Sequence, residues 1–319
     1  MTIRTTSVSR AVRGVGAGGL AEENRPRRHR AQRGVALTFW LLILPSAILL
    51  LIIHGYPLVY AAIQAVTNGN LVQAGQFVGL DNFVRVLTKL PTFWPAARFT
   101  LIFTIVGVFG SWILGLALAL LIRRRVHASG LFKTLLLLPW VVPVVVSSTA
   151  WSWLVANPQS PIPMLFKNLG FGTVLVLADP TLAQITLCVF KVWISFPFML
   201  LMMSSALTSV DNSVYEAAKV DGASSRQAFF QITLPLIARP TYVSWILMTI
   251  FCINDFTSVY LLTGGGPVNA TTTLVVLAFQ EVFNSFQTGP GVAIAFMMTI
   301  ISVIISVVLY RQIRKVDIA

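Results

Sequence analysis

Apolar residues in this chain come in long, nearly unbroken runs rather than in the alternating or heptad-like patterns of soluble strands and helices. Six runs, at 36–64, 99–122, 131–155, 182–208, 237–263 and 291–310, are each long enough to cross a hydrocarbon layer of about 30 Å as a helix. The fifth contains YVSWILMTIFCINDFTSVYLL and the sixth GVAIAFMMTIISVIISVVLY. Helices are the structure that satisfies backbone polar groups in lipid here, because the alternation of barrel strands is missing. The pattern therefore predicts an all-α membrane protein with six transmembrane helices. Pro45, Pro57, Pro139, Pro143 and Pro197 fall inside the runs, where each removes a backbone donor and tends to kink a helix.

The stretch DNSVYEAAKVDGASSRQAFFQITLPLIARP, residues 211–240, is too polar to span and too patterned for a plain linker. Ser213 and Glu216 have capping-box spacing and predict a helix start. Gly222 can end that helix in a left-handed conformation. A second helix is predicted from about Ser224 to Leu234, with Pro235 and Pro240 marking the entry to the fifth run. The first helix is expected to expose small side chains, Ala217 and Ala218, beside one acid, Glu216. Small side chains allow close approach, and a carboxylate can accept a charge-assisted bond from an arginine. Local physics leaves two readings open, a docking hairpin or an ordinary amphipathic interfacial hairpin.

Composition agrees with the membrane reading. Of 319 residues 56% are hydrophobic and 10% charged, against about 25% charged in soluble domains, and the mean hydropathy is +0.81. The net charge of +13 is placed at the ends of apolar runs and forms no aromatic-interleaved groove, so no nucleic-acid partner is expected. Arginines crowd the first 34 residues, the Arg123–Arg125 cluster follows the second run, Lys219, Arg226 and Arg239 follow the fourth, and Arg311, Arg314 and Lys315 follow the sixth. These segments share one side of a six-span protein, so both termini are expected to be cytoplasmic. Residues 1–34 read as a disordered basic cytoplasmic tail whose arginines serve as topology determinants or as contacts to anionic membrane lipid, 35–312 as the membrane domain with the loop 211–240, and 313–319 as a short cytoplasmic end. The first apolar run is too long for a signal-peptide core.

Enzyme chemistry finds no support. There is no G-x-x-x-x-G-K-[ST] phosphate loop, and His29, His54 and His127 have no metal-ligand spacing. Cys188 and Cys252 sit inside apolar runs and are expected to pack. The glycines of LTGGGP, Gly264–Gly266, are expected to form a tight turn. No metal or cofactor is expected in this chain.

Glu216-Ala217-Ala218, three residues, Gly222, nine residues, then Ile232-x-Leu234-Pro235 resembles the EAA loop of ABC importer permeases in order and register. Three further segments resemble the carbohydrate-uptake, MalF/UgpA-like branch of that binding-protein-dependent family. They are the third run from 130 to 154, Val78-Gly79-Leu80-Asp81-Asn82-Phe83, and Leu262-Thr263-Gly264-Gly265-Gly266-Pro267. Trp193-x-x-x-Pro197 fits as well, and the likeness covers about 36 to 312. It implies a type I ABC importer permease fold with cytoplasmic coupling helices. It implies a second homologous permease, an ATP-binding-cassette ATPase dimer that binds the ATP, and an extracellular solute-binding protein as partners. It places the chain in a bacterial cell membrane and implies a sugar-like solute. By the same resemblance Glu216, Ala217, Ala218, Asp221, Gly222, Ala223, Leu234 and Pro235 form the ATPase-coupling knuckle.

Charge inside a membrane marks a functional site by default. Lys191 and Asp255 lie about 12–14 Å inside the outer ends of their spans at 1.5 Å per residue, and could pair or line a wet cavity. The resemblance adds Trp193, Ser195, Phe198 and Cys252 to the expected solute path, with Asn254 and Trp151 as looser members. The competing expectation is a self-contained secondary transporter, which needs repeats or several buried acids that this sequence lacks.

Overall fold

The computed structural model describes residues 39–70, 72–73, 75–123 and 129–316. The expected basic tail, Arg124, Arg125 and the last three residues lie outside them. Apart from an isolated bridge between Thr67 and Phe77, the described residues form helices, turns and loops. The chain divides into two units, one ending at Tyr60 and one running from Ala61 onward.

The first unit holds most of α1, Phe39–Ala65, which is apolar on every face and takes a π-helical turn at Leu51–Gly55 between Pro45 and Pro57. The second unit contains the remaining crossings. Helix α2, Asp81–Lys89, is short and amphipathic. Its Asn82 is buried and donates to the carbonyls of Ala65 and Thr67, at 2.9 and 2.8 Å, which gives the VGLDNF segment a structural reason. Helix α3, Phe93–Arg123, begins six residues before the expected span at 99, because Pro95 sits in its first turn, where its missing donor costs nothing.

The third crossing is not one helix. Helices α4, Ser129–Val141, and α5, Val144–Val155, meet at 90°. Pro143 has no N–H to donate and itself leaves the helical region, with ψ 133°, so the break falls between the two helices. Short α6, Pro161–Phe166, follows. Helix α7, Pro180–Thr208, is capped by Asp179, whose carboxylate accepts from the Leu182 N–H at 2.8 Å, and it runs through Pro197.

Helix α8, Asn212–Val220, and helix α9, Ser225–Leu236, form a hairpin. Helix α10, Ala238–Ile253, then turns 65° away from α9. Its sixteen residues rise about 24 Å, and α11, Phe256–Thr263, extends the fifth crossing past a break at Asn254 and Asp255. A threonine-knitted loop follows. Thr271 donates to Thr263 Oγ1 and the Gly266 carbonyl, Thr272 donates to the Gly265 carbonyl, and Gly264 and Gly265 take positive φ. This is the tight turn expected of TGGGP. Helices α12, Leu274–Asn284, and α13, Thr288–Val316, complete the chain. Counting the bent third and fifth crossings once each gives six among the described residues.

Helix α3 packs most extensively on α7, and glycine makes the approach possible. A Cβ on Gly115 would stand 2.7 Å from the Leu200 backbone nitrogen, and one on Gly107 would stand 2.8 Å from Cys252 Sγ and 3.1 Å from Lys191 Cγ. In lipid, helices associate through such close packing rather than through a hydrophobic drive.

Candidate functional site: an intramembrane ion pair and a polar hairpin

Lys191 on α7 and Asp255 at the α10–α11 break meet at 2.6 Å, with side-chain exposures of 6% and 8%. Lys191 Nζ also lies 3.5 Å from the Phe251 carbonyl and 5.8 Å from the Phe103 ring centre. The other carboxylate oxygen of Asp255 accepts from the Ser258 N–H at 3.0 Å, so the acid caps α11 while it pairs with the lysine. The pair forms part of the wall of a cavity of about 410 Å³. Ser195, Asn254 and Thr257 add polar groups to that wall, and Trp140 and Phe251 add aromatic surface. Phe198 stacks on Trp140 at 5.4 Å and meets Phe251 edge-on at 5.9 Å.

The second cluster is the α8–α9 hairpin. Helix α8 starts two residues earlier than its sequence signal. Asp211 is the cap and accepts from the Ser213 N–H at 2.9 Å, so the expected Ser213–Glu216 capping box is replaced by an aspartate cap. The reciprocal box forms at the second helix instead, between Ser224 and Gln227. The Ser213 N–H, followed by the Ser213 hydroxyl, holds the Asp211 carboxyl below the usual carboxylate range. Gly222 has φ +77° with open space where a Cβ would stand. The Ala223 N–H reaches back to the Ala218 carbonyl at 2.9 Å and closes the turn. The hydroxyls of Tyr215 and Thr233 bond at 3.2 Å and join the two helices. Arg123, at the end of α3, donates to Asn212 at 3.1 Å and covers the Tyr215 ring at 4.6 Å.

Glu216, Ala217 and Asp221 are exposed on this hairpin. Ala218 is not. It is 8% exposed, so the small open face expected of both alanines belongs to Ala217, and Ala218 packs inward. Leu234 packs on the core around Leu200, Met203 and Ile237, while Pro235 stays exposed.

The family model for binding-protein-dependent transport system inner membrane components matches residues 111–318. The chain belongs to this family. It is 32% identical over 300 residues to the sulfoquinovosyl glycerol transport system permease protein SmoG of Agrobacterium fabrum, covering 93% of this chain and 97% of that one. It is 35% identical over 239 residues to the trehalose/maltose transport system permease protein MalF of Thermococcus litoralis, covering 75% and 80%. Among solved structures, it superposes with a TM-score of 0.77 and 19% identity on a chain of a bacterial ABC transporter involved in the import of the acidic polysaccharide alginate, covering 90% of this chain and 99% of that one. That likeness establishes the fold.

In this permease the sequence-derived path residues separate into groups. Lys191, Ser195, Asn254 and Asp255 share the cavity wall, and Phe198 supports it through Trp140. Cys252 lies beside it, buried with Val108, Met199 and Met248. Trp193 packs with Trp151 at 5.6 Å and Phe190 at 6.0 Å and faces a separate apolar cavity. Trp140, Thr257 and Gly107 escaped the sequence reading. Trp140 precedes the Pro143 break by three residues, and a tryptophan next to an intramembrane break was the available signal. Gly107 had none, because its role depends on what α7 and α10 bring to it. Among the described residues no group of three or more His, Cys, Asp or Glu stands in metal-binding arrangement.

Proposed function

We propose that this permease is one of two paired membrane subunits of an ABC importer for a sugar or sugar-like solute. An extracellular binding protein delivers the solute, and a separate ATPase dimer binds the ATP and drives transport through the α8–α9 hairpin. The hairpin faces the cytoplasm together with both termini, in keeping with the placement of lysine and arginine.

One observation carries the reading. Glu216 and Ala217 stand exposed on a short helix whose far end is fixed by the left-handed Gly222 and whose base is tied to α3 and α9. A knuckle braced in this way transmits a push to the spans instead of absorbing it. An exposed carboxylate beside small side chains suits a partner arginine. Leu234 and Pro235 then connect the knuckle to α10, which carries the Asp255 break at its other end. The solute path follows the cavity at Lys191 and Asp255, where hydroxyl-bonding groups lie beside aromatic surface as saccharide sites require. The relatives named for sulfoquinovosyl glycerol and for trehalose/maltose support a saccharide or glycoside as cargo.

The test is ATP-driven uptake by the complete importer in proteoliposomes with Glu216→Lys. Uptake is expected to vanish while membrane insertion and subunit yield stay at the parental level. Undiminished uptake by that variant would remove the hairpin from the mechanism.

A further inference from the structure

The chemistry of the cavity wall narrows the cargo further. Among the described lining residues, Lys191 and Asp255 are the charged side chains, and they face each other at 2.6 Å. Their sum is zero whether the proton rests on Nζ or on the carboxylate. Each is also committed elsewhere, Asp255 to the Ser258 N–H and Lys191 toward the Phe251 carbonyl. A charged solute therefore finds no free counter-ion here. To gain one it must break a hydrogen-bonded pair that is itself almost out of water, and otherwise it loses hydration without compensation. An uncharged solute meets no such barrier. Its hydroxyls find Ser195, Asn254 and Thr257, and its apolar ring faces find Trp140, which lines the cavity with Phe198 stacked against it.

We propose that this cavity is an electroneutral stretch of the path, which admits uncharged hydroxyl-bearing solute and holds back anions and cations alike. The inference rests on the reading of the cavity as a solute path. It gives the ion pair a purpose in selectivity: the pair supplies a donor and an acceptor edge without leaving a net charge.

Thiol chemistry tests this without knowledge of the solute. Asn254→Cys puts a thiol on the cavity wall of the complete importer, purified with its co-eluting subunits. Native Cys188 and Cys252 are buried, and the parental protein gives the background. The probes are anionic methanethiosulfonate ethylsulfonate and cationic methanethiosulfonate ethyltrimethylammonium, with rates taken relative to a free thiol in solution. In the Asn254→Cys protein the two relative rates are expected to agree within about threefold. Adding Asp255→Asn leaves an unpaired cation and is expected to favour the anionic probe by about tenfold or more. Lys191→Met is expected to produce the opposite preference. The double change Lys191→Met with Asp255→Asn, which leaves no buried charge to disturb folding, returns the ratio to that of Asn254→Cys alone. A preference above about tenfold for either probe with the pair intact overturns the proposal. So does an unchanged ratio in both single variants. Failure of both probes to react in every nucleotide state, with the protein assembled, removes the path reading itself and the inference with it.

Discussion

Asp255 accepts from Lys191 Nζ with one carboxylate oxygen and from the Ser258 N–H with the other, so a single side chain ties α7 to the break between α10 and α11. The two residues of the pair are therefore not equivalent. Lys191→Met removes one ion-pair partner, whereas Asp255→Ala removes a partner and a helix cap together. Either single change strands a charge in a region nearly without water, at a cost of about 3–5 kcal/mol. Asp255→Ala adds the lost cap, roughly 1 kcal/mol. Lys191→Met with Asp255→Ala leaves no charge stranded and is expected to recover the ion-pair part of the loss but not the cap. Thermal unfolding of the four proteins in detergent gives the order, and a double-mutant cycle that shows no coupling would contradict it.

How far the sequence carried is clearest from this pair. Both residues stand out because a charge within an apolar run is rare, and their similar depth follows from counting residues at the helical rise. That they meet depends on α7 lying beside the break in the fifth crossing, and a run of apolar letters does not encode which helix is next to which. The break at Val142 and Pro143 was announced by proline, but its 90° angle was not. The hairpin at 211–240 was legible in outline because glycine and capping residues act locally. The cap itself moved from Ser213 to Asp211, since aspartate and serine compete for the same free N–H groups and the helix begins wherever one of them reaches. Inward packing of Ala218 could not be read at all. Alanine serves open and buried faces equally well.

The glycines of α3 offer a graded test of its contacts with α7 and α10. At Gly107 the obstacles to a Cβ are side-chain atoms, Cys252 Sγ and Lys191 Cγ, which can yield a little. At Gly115 the obstacle includes the Leu200 backbone nitrogen, inside a helix that cannot yield. Gly107→Ala is therefore expected to cost about 1 kcal/mol and Gly115→Ala toward 3 kcal/mol, the span usual for overpacking. Equal melting temperatures for the two variants would show that α7 moves as freely as a side chain.

The cap on α8 predicts a response to acid. The folded carboxyl of Asp211 titrates below its unfolded value, because the N–H and hydroxyl of Ser213 favour the anion. The carboxylate therefore stabilises the helix at pH values above the unfolded titration, and this support is lost as pH falls through the folded one. Asp211 is fully exposed, so the effect belongs to the local helix end. Amide hydrogen exchange over 212–216, corrected for the intrinsic rate at each pH, is expected to accelerate below about pH 4 in the parental protein. Asp211→Asn keeps a capping oxygen that does not titrate and should show no such step.

The turn of the same hairpin separates shape from side-chain chemistry. Gly222 has φ +77° and open space around it, so an added methyl group meets no neighbour and acts through backbone strain alone. Gly222→Ala is expected to cost about 1–2 kcal/mol in the hairpin, the penalty of the left-handed region for an ordinary residue. Asparagine tolerates that region far better. Gly222→Asn should therefore keep most of the uptake that Gly222→Ala loses, with both proteins equally abundant in the membrane. If alanine and asparagine impaired uptake equally, the conformation of residue 222 would not be what matters there. A requirement for close approach of a partner to the bare glycine would then explain the loss, and the hairpin would act as a contact surface more than as a braced lever.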